Sequence, residues 1–353
     1  MTHLWVRAEQ RANEDRVGVT PEGVKALVAA GLRVTVEESR ARVIGIEGYR
    51  AAGAEIALEN SWPEAPEDAL IFGLKELPED GTPLRHRHIM FGHAFKGQPL
   101  GQLLLKRFVA GGGALYDLEY LVDDQGRRVA AFGYWAGYAG AAVTLLSYAA
   151  QQQGGLCAPV SVWPSAGAME ASVRDALDAA GGARPKALVI GALGRVGTGA
   201  SDLCEKLGLQ VTKWDMAETA HGGPFPQLLE HEVFFNCILA RPGTPVFVPA
   251  AARLEPRKLR AIGDIACDPD SDFSPVKVYD RVTDWQAPAL RVHDDPPLDV
   301  MAIDNLPSLL PRESSEDFAA QLLPHLLALP ALDAGVWGRA ADTYTTYITE
   351  ELA

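Results

Sequence analysis

Cysteine is scarce in this chain of 353 residues, and its four copies stand far apart, at positions 157, 204, 237 and 267. None of them forms a CxxC pair or a Cys/His spacing typical of zinc, so reduced thiols and no metal site are expected. Long apolar runs are also missing: no stretch reaches the roughly 18 residues that a membrane helix requires. The N-terminus lacks the apolar segment of a secretory signal. These absences predict a cytoplasmic protein with no membrane partner.

Positively charged residues are also few relative to negatively charged ones. The 32 lysine and arginine residues are outnumbered by 46 aspartate and glutamate residues, which gives a formal net charge of −14. A protein of this sign repels a phosphate backbone, so nucleic acid is not expected as a partner. A small anionic substrate would need a local cluster of lysine and arginine set against the overall field.

Short apolar strands alternate with helical periods along most of the chain. One series runs from LWVRAE to LGQLLLKRFVAGGG, and a second runs from KALVIGA to LDVMAIDNLP. This alternation predicts βαβ units, and the near-continuous apolar strands of the second series indicate a parallel sheet covered on both faces. Between the two series, residues 132–153 are rich in alanine and predict a buried helix.

A glycine-rich turn is the strongest local signal. In KALVIGALGRVGTGASDLCEKLG a strand is followed by Gly191, Gly194 and Gly197 and then by a helix. Such glycines allow a tight turn and a close approach of the backbone to a pyrophosphate, which the helix N-terminus stabilises. The spacing GxxGxxG departs from the usual GxGxxG, so a glycine turn without a ligand stays an alternative.

Asp215 strengthens the dinucleotide interpretation. It closes the next strand, 24 residues beyond Gly191, close to the roughly 20 residues at which an acid binds the adenine ribose. A carboxylate there would repel a 2′-phosphate, so NAD is expected rather than NADP. The alternative is a solvated acid at a strand end.

Polar residues follow several apolar strands of the first series, where loops of α/β sheets place reactive groups. Lys75 follows the buried strand of LIFGLK, where desolvation would lower its pKa into the range of a base. His93 is similarly placed and is of a type that titrates near neutral pH. Each of these residues alone has a structural alternative. The other polar candidates are Glu14, Arg16, Glu76, Lys96, Gln98, Glu119, Arg127 and Arg128.

Several long segments carry a family resemblance. In chain order they are RAEQRANEDRVGVTP, GLKELPED, FGHAFKGQ, LYDLEYLVDDQGRRVAAFGYWAGYAGAA, VIGALGRVGTGASDL, KWDMAET, GGPF and IDNLPSLLPRESS. Together they resemble the NAD-dependent, lysine-forming saccharopine dehydrogenases of fungal lysine biosynthesis. The wider fold resembles that of alanine dehydrogenase, which implies an α/β protein with two Rossmann-like domains whose parallel sheets flank an active-site cleft.

The resemblance implies a division of the chain and a reaction. Residues 1–133 and 314–353 would form a substrate-binding domain, and residues 134–313 would form the NAD-binding domain. The implied reaction is the reversible oxidative deamination of saccharopine, in which saccharopine, NAD and water give lysine, 2-oxoglutarate and NADH. The three substrate carboxylates would account for a basic cluster in an acidic chain. The direction in the cell is open, as is the choice between a monomer and a small homo-oligomer.

The resemblance also implies roles for single residues. Lys75 would take the proton of the substrate's secondary amine, and His93 would activate water and shuttle protons. Glu76 and Glu119 would tune the pKa values of both. The substrate-binding positions are Arg16, Gln98, Arg128, Phe132 and Asp304. With the glycine turn included, the cofactor-binding positions are Arg127, Gly191, Gly194, Arg195, Gly197, Asp215, Thr219, Leu239 and Ile265.

Three positions depart from the family pattern. Val196 stands where fungal members have a cysteine, Leu239 replaces an aromatic residue, and Asn305 replaces a histidine. Fine specificity therefore stays open. One alternative is a dehydrogenase of another opine-like secondary amine or of a simple amino acid. The other is a non-catalytic NAD-binding regulatory homologue, since a fold alone does not guarantee function.

Overall fold

The computed structural model describes residues 1–351. It divides into two compact units, one formed by Met1–Ala131 with the chain from Pro311 onward, the other by Phe132–Leu310. Within the described range each unit contains one six-stranded sheet with its own helices. The predicted α/β class with parallel sheets is therefore confirmed. Which unit binds substrate and which binds NAD stays a prediction.

Strands and helices alternate along both units. The strands are β1 (His3–Val6), β2 (Arg33–Glu37), β3 (Glu55–Ala57), β4 (Leu70–Phe72), β5 (Arg87–Met90), β6 (Ala114–Asp117), β7 (Ala187–Ile190), β8 (Val211–Trp214), β9 (Val233–Asn236), β10 (Ala261–Asp264), β11 (Leu290–Asp294) and β12 (Pro297–Met301). The α-helices are α1 (Pro21–Ala29), α2 (Ile46–Ala51), α3 (Pro99–Gly111), α4 (Gly133–Gln152), α5 (Ala166–Ala179), α6 (Arg195–Lys206), α7 (Met216–Thr219), α8 (Pro311–Leu326) and α9 (Gly335–Glu351).

The sheet of the first unit is parallel throughout, in the order β3-β2-β1-β4-β5-β6. Strands β1 and β4 pair directly, with Val6 opposite Phe72, so the strand order reverses between them. In open parallel sheets, ligands bind at such a reversal, beyond the carboxyl ends of the strands. The loops after β1 and β4 are therefore the expected ligand-binding loops of this unit.

The sheet of the second unit has the order β11-β12-β10-β9-β7-β8. It is parallel except for the β11–β12 pair, which is antiparallel and which the sequence analysis did not predict. Strand β7 pairs with both β8 and β9, with Ile190 opposite Trp214 and Asn236. The strand order reverses beside β7, so the glycine turn that follows this strand lies at the expected ligand-binding edge.

Several helix predictions are confirmed. Thr20 caps α1 by accepting a hydrogen bond from the Gly23 backbone N at 3.2 Å, and Pro21 is the first helical residue. Helix α4 is buried along most of its length, as its composition indicates. In the described part of the chain, no helix is both long and apolar enough to cross a membrane.

Helix α8 completes the first unit from the far end of the chain. The Ser315 hydroxyl accepts a hydrogen bond from the Val17 backbone N at 2.9 Å. The Phe318 ring packs against Phe91, with 5.9 Å between the ring centroids. The helix thus supports two of the loops that carry candidate site residues.

Candidate active site

Lys75 lies in the turn that follows β4. Its side chain is partly buried, and its backbone N donates to Glu9 Oε2 at 3.0 Å. Burial, followed by the positive charge of Arg16, lowers the pKa of Lys75 below its ordinary value, while Glu14 opposes the shift. A lysine whose pKa is lowered in this way is suited to accept a proton.

Arg16 and Glu14 form a buried ion pair in the loop after β1. Arg16 Nε lies 2.7 Å from Glu14 Oε1, and its Nη2 lies 2.6 Å from Oε2, a bidentate geometry. Burial alone would raise the pKa of Glu14, but the hydrogen bonds and charge of Arg16 outweigh it and hold this pKa below its usual value. Both groups are therefore charged near Lys75, and the contact of Arg16 with substrate stays a prediction.

His93 lies between β5 and α3, with a backbone φ of 48° that is uncommon for a residue other than glycine. Its Nε2 is 3.8 Å from Glu76 Oε1, and its Nδ1 is 3.5 Å from Glu119 Oε2. The imidazole stacks on the Phe91 ring. With 42% of its side chain exposed, His93 is accessible to water while both of its nitrogens face carboxylates.

Glu119 lies within ion-pair distance of three basic side chains. Its Oε1 lies 2.9 Å from Lys96 Nζ and 3.1 Å from Arg128 Nη2. The interaction with His93, then those with Lys96 and Arg128, outweigh burial and lower the pKa of Glu119 to about 2. Glu119 is therefore an anion at neutral pH and holds three cationic or protonatable side chains together.

Asp117 is a residue that the sequence analysis did not single out. It ends β6 and is fully buried. Its Oδ2 accepts a hydrogen bond from the Gly92 N at 3.2 Å, and its Oδ1 accepts one from the Glu119 N at 2.9 Å. Burial raises the pKa of Asp117 to about 6. Asp117 links the His93 turn to Glu119, and its only sequence signal is an acid at the end of an apolar strand.

A cavity of about 660 Å³ opens beside His93 within the first unit. Its polar lining includes Glu76 and Gln98, and its apolar lining includes Leu100 and Leu103 of α3. The structure thus brings together one predicted acid–base residue, one predicted tuning residue and one predicted substrate residue.

Arg127, a predicted cofactor residue of the same unit, is three-quarters exposed and pairs with Asp123 at 2.9 Å.

The glycine turn of the second unit has a geometry that fits a dinucleotide. Gly191 has a φ of 85°, and a Cβ on Gly197 would lie 2.1 Å from the Gly191 carbonyl O. Gly194 precedes α6 as its N-cap, and no side-chain hydrogen bond caps this helix N-terminus. Asp215 Oδ2 accepts a hydrogen bond from the Leu193 N at 3.0 Å, so the strand-end acid lies against this turn. Backbone donors and a nearby carboxylate match a pyrophosphate followed by a ribose.

The other predicted residues of the second unit lie after strands or at helix ends. Thr219 ends α7, Leu239 follows β9, Ile265 follows β10, Asp304 follows β12, Arg195 begins α6, and Phe132 precedes α4. Leu239 is 66% exposed, whereas Ile265 is buried. Among residues 1–351, no group of three or more His, Cys, Asp or Glu side chains has the arrangement of a metal site.

Comparison with known proteins identifies the family. The model of the alanine dehydrogenase/PNT N-terminal domain matches residues 5–139. The saccharopine dehydrogenase (NAD(+), L-lysine-forming) of Candida albicans is 44% identical over 98% of this chain and 97% of its own length. The enzyme of the same name from Schizosaccharomyces pombe is 43% identical over 98% of each chain. The chain belongs to the lysine-forming saccharopine dehydrogenases.

Solved structures agree with the fold of this saccharopine dehydrogenase family member. An L-alanine dehydrogenase has a TM-score of 0.68 at 18% identity and covers 98% of this chain and 94% of its own. The transhydrogenase from Sinorhizobium meliloti has a TM-score of 0.62 at 16% identity and covers 94% of this chain and 95% of its own. At these identities the likeness shows the fold alone, and it confirms the Rossmann-like architecture.

Proposed function

We propose that this chain catalyses the reversible NAD-dependent oxidative deamination of saccharopine. The observation that carries the proposal is identity of 42–44% over nearly the whole chain to three relatives that bear this name. In the forward direction saccharopine, NAD⁺ and water give lysine, 2-oxoglutarate, NADH and a proton. A location in the cytoplasm and an assembly no larger than a small homo-oligomer stay predictions.

The second unit is proposed to bind NAD. When bound, NAD would supply the hydride acceptor for the glutarate α-carbon that is bonded to the substrate's secondary amine. Backbone N–H groups at the start of α6, left accessible by Gly194, would hold the pyrophosphate. The Asp215 carboxylate would bind the adenine ribose and disfavour a 2′-phosphate. Gly191, Gly197, Arg195, Thr219, Leu239, Ile265 and Arg127 are proposed to complete the binding site.

Lys75 is proposed to act as the base in the oxidation. It takes the proton from the secondary amine nitrogen, whose electron pair then forms the C=N bond as the hydride leaves. Burial and the charge of Arg16 support this role, since both lower the pKa of Lys75 and leave more of its amine uncharged at a given pH.

His93 is proposed to serve the hydrolytic half of the reaction. It takes a proton from the water that attacks the carbon of the protonated imine, and it gives this proton to the nitrogen of the resulting carbinolamine. As the C–N bond breaks and lysine leaves, the carbinolamine hydroxyl gives its proton back to His93 and becomes the carbonyl of 2-oxoglutarate. Glu76 and Glu119 face its two nitrogens and stabilise the positive charge that the ring carries between these transfers.

The substrate's carboxylates and amines need partners of both signs. Arg16 and Arg128 are proposed to bind carboxylates, because an arginine can meet a carboxylate with two hydrogen bonds. Gln98, Phe132 and Asp304 are proposed to contact the remaining parts of the substrate. Gln98 is exposed at the start of α3 and lines the same cavity as His93, which supports its assignment.

The test is NADH oxidation in the presence of lysine and 2-oxoglutarate. We expect turnover only when both are present and much slower turnover with NADPH. Turnover with pyruvate and ammonia instead would indicate a simple amino-acid dehydrogenase, and turnover with another primary amine would indicate a different opine-like product. Binding of NADH without turnover on any of these substrates would indicate a non-catalytic homologue and would contradict the proposal.

A further inference from the structure

Two charged residues outside the set assigned to the reaction hold the backbone of Lys75. Arg7 and Glu9 follow β1, and both contact the segment 73–75 that follows β4. These two loops leave the sheet side by side, because β1 and β4 are paired in parallel. The contacts therefore lie at the reversal of strand order in the first unit.

Glu9 receives two consecutive backbone donors of the Lys75 turn. Its Oε1 accepts from the Leu74 N at 2.6 Å, and its Oε2 accepts from the Lys75 N at 3.0 Å. Only 9% of the Glu9 side chain is exposed, so little water competes for these bonds. A carboxylate is the side chain suited to this task, since both of its oxygens accept and neither donates.

Arg7 binds the same residue, Lys75, at its carbonyl group. Its Nη2 donates to the Lys75 carbonyl O, and its Nη1 lies 3.4 Å from Glu9 Oε2. A Cβ on Gly73 would lie 2.4 Å from Arg7 Cζ, so the guanidinium lies directly against the Gly73 backbone. The N–H and the C=O of Lys75 are thus both bound by one pair of charged side chains.

Burial of an ion pair such as Arg7 with Glu9 costs free energy, because both charges lose their hydration. The Arg7 side chain is fully buried, and buried ion pairs can often be replaced by apolar residues without loss of stability. Stability alone is therefore a weak reason for an arginine and a glutamate at these positions. The geometry of the turn that they hold is a more specific one.

We propose that Arg7 and Glu9 are positioning residues that fix the direction of the Lys75 side chain by holding its backbone. This inference rests on the proposed role of Lys75 in saccharopine oxidation. The charges that act most strongly on the Lys75 amine are those of Arg16, Glu14, Arg11 and Glu76. Because Glu9 binds the backbone N of Lys75, its proposed effect is on where the amine lies.

The test compares Glu9→Gln with the wild-type enzyme in saccharopine oxidation. The amide keeps one accepting oxygen but presents an NH₂ group to the second backbone donor, so one hydrogen bond is lost. We expect kcat to fall by about 10²-fold or somewhat less, the scale of a displacement of about 1 Å. The KM for saccharopine should change little. The pH range over which saccharopine oxidation rises as Lys75 loses its proton, called the pH limb of Lys75, should also change little. Arg7→Lys, which keeps the charge but loses the planar fork, should act in the same direction.

A matched control is Asp299→Asn in the second unit. Asp299 is a fully buried carboxylate that, like Glu9, is paired with an arginine, here Arg291, and it accepts a hydrogen bond from Gln151 Nε2 at 2.9 Å. We expect both carboxylate-to-amide variants to lower the melting temperature, but only Glu9→Gln and Arg7→Lys to lower kcat. Retention of wild-type kcat by Glu9→Gln and Arg7→Lys would overturn the proposal, as would a displaced pH limb in Glu9→Gln.

A second measurement needs no turnover. The limiting rate at high pH at which trinitrobenzenesulfonate modifies Lys75 in the substrate-free enzyme, followed by peptide mass spectrometry, reports the position and accessibility of its uncharged amine. Glu9→Gln should change this rate severalfold and Asp299→Asn should not, and equal rates in all three proteins would overturn the positioning role. If the wild-type chain does not oxidise saccharopine, the proposed function fails, while the labelling rates still decide whether Glu9 positions Lys75.

Discussion

Two turns of the first unit hold the proposed acid–base pair, and the two side chains differ in burial and in the charges that act on them. The turn after β4 carries Lys75, on whose amine the charge of Arg16 acts most strongly while the carboxylates of Glu14 and Glu76 act in the opposite direction. The turn after β5 carries His93 between the carboxylates of Glu76 and Glu119, with its ring half exposed. Both turns follow neighbouring parallel strands, so the difference between them comes from the side chains and not from the sheet.

The difference shows how two loops at one edge of a sheet can place Lys75 in an environment that suits a base and His93 in one that suits a proton shuttle. Lysine is ordinarily protonated near neutral pH, and burial beside a cation is what makes it available as a base. Histidine ordinarily titrates near neutral pH, and carboxylate neighbours with access to water allow it to carry and exchange protons. Four variants, ordered by the size of the expected effect, test whether this contrast governs the chemistry.

The largest effect is expected for Lys75→Met. Loss of a positioned acid–base group should lower kcat by roughly 10²–10⁴-fold and flatten the limb on which saccharopine oxidation rises with pH. The pH dependence of kcat and kcat/KM measures both effects. Lys25→Met, at an exposed position of α1, is the control. Wild-type kcat in Lys75→Met would show that the base has been assigned to the wrong turn.

His93→Gln should lower kcat less, by about 10²-fold or below, because water can partly replace a proton shuttle. Steady-state kinetics in both directions measure the loss. His231→Gln is a suitable control, since His231 lies in the second unit and bonds to Thr212. A greater loss in His93→Gln than in Lys75→Met would reverse the proposed contrast between the two turns.

Glu119→Gln should destabilise the protein in a pH-dependent manner. The pKa of Glu119 in the folded protein is about 2, below its ordinary value of 4.5, so its charge stabilises the fold above about pH 4.5 and this contribution is lost as the pH falls toward 2. At pH 7 the variant should lose about 1–3 kcal/mol of unfolding free energy, the worth of hydrogen bonds to a charged group.

Denaturant unfolding at pH 7 and pH 3 measures this dependence. The difference between the wild-type protein and Glu119→Gln should shrink at the lower pH, whereas replacement of the exposed Glu38 by glutamine should have little effect at either. An equal difference at both pH values would mean that the Glu119 charge does not stabilise the His93 turn.

The smallest effect is expected for Glu76→Gln, which removes a carboxylate that acts on both turns. Glu76 raises the pKa of Lys75 and lies 3.8 Å from His93 Nε2, but it is 42% exposed. Its removal should move the Lys75 limb to lower pH by a few tenths of a unit, about the strength of an exposed ion pair. The pH profile of kcat/KM measures the shift, with the exposed Glu67→Gln as control. A shift to higher pH would contradict the role given to Glu76.

Much of the fold follows from local patterns in the chain. The apolar strands, the capped start of α1 at Thr20 and the buried α4 are visible as periodicity and composition, because each depends on neighbours close in sequence. Strand β11 is the exception. Its segment LRVHD is polar for a strand and pairs antiparallel with β12, so neither periodicity nor the βαβ alternation could predict it.

In the candidate site, too, some features can be predicted from the sequence and others cannot. Residue types at strand ends, such as Lys75, His93 and Asp215, can be chosen from the sequence because a parallel sheet brings its carboxyl ends to one edge. The neighbours that bind these residues in the folded protein cannot be chosen from the sequence. Glu9 looks like a surface acid until β1 pairs with β4 and brings it to a backbone N–H 66 residues away. Burial and charge act through space, so the lowered pKa of Lys75 and the raised pKa of Asp117 exist only once the chain has folded.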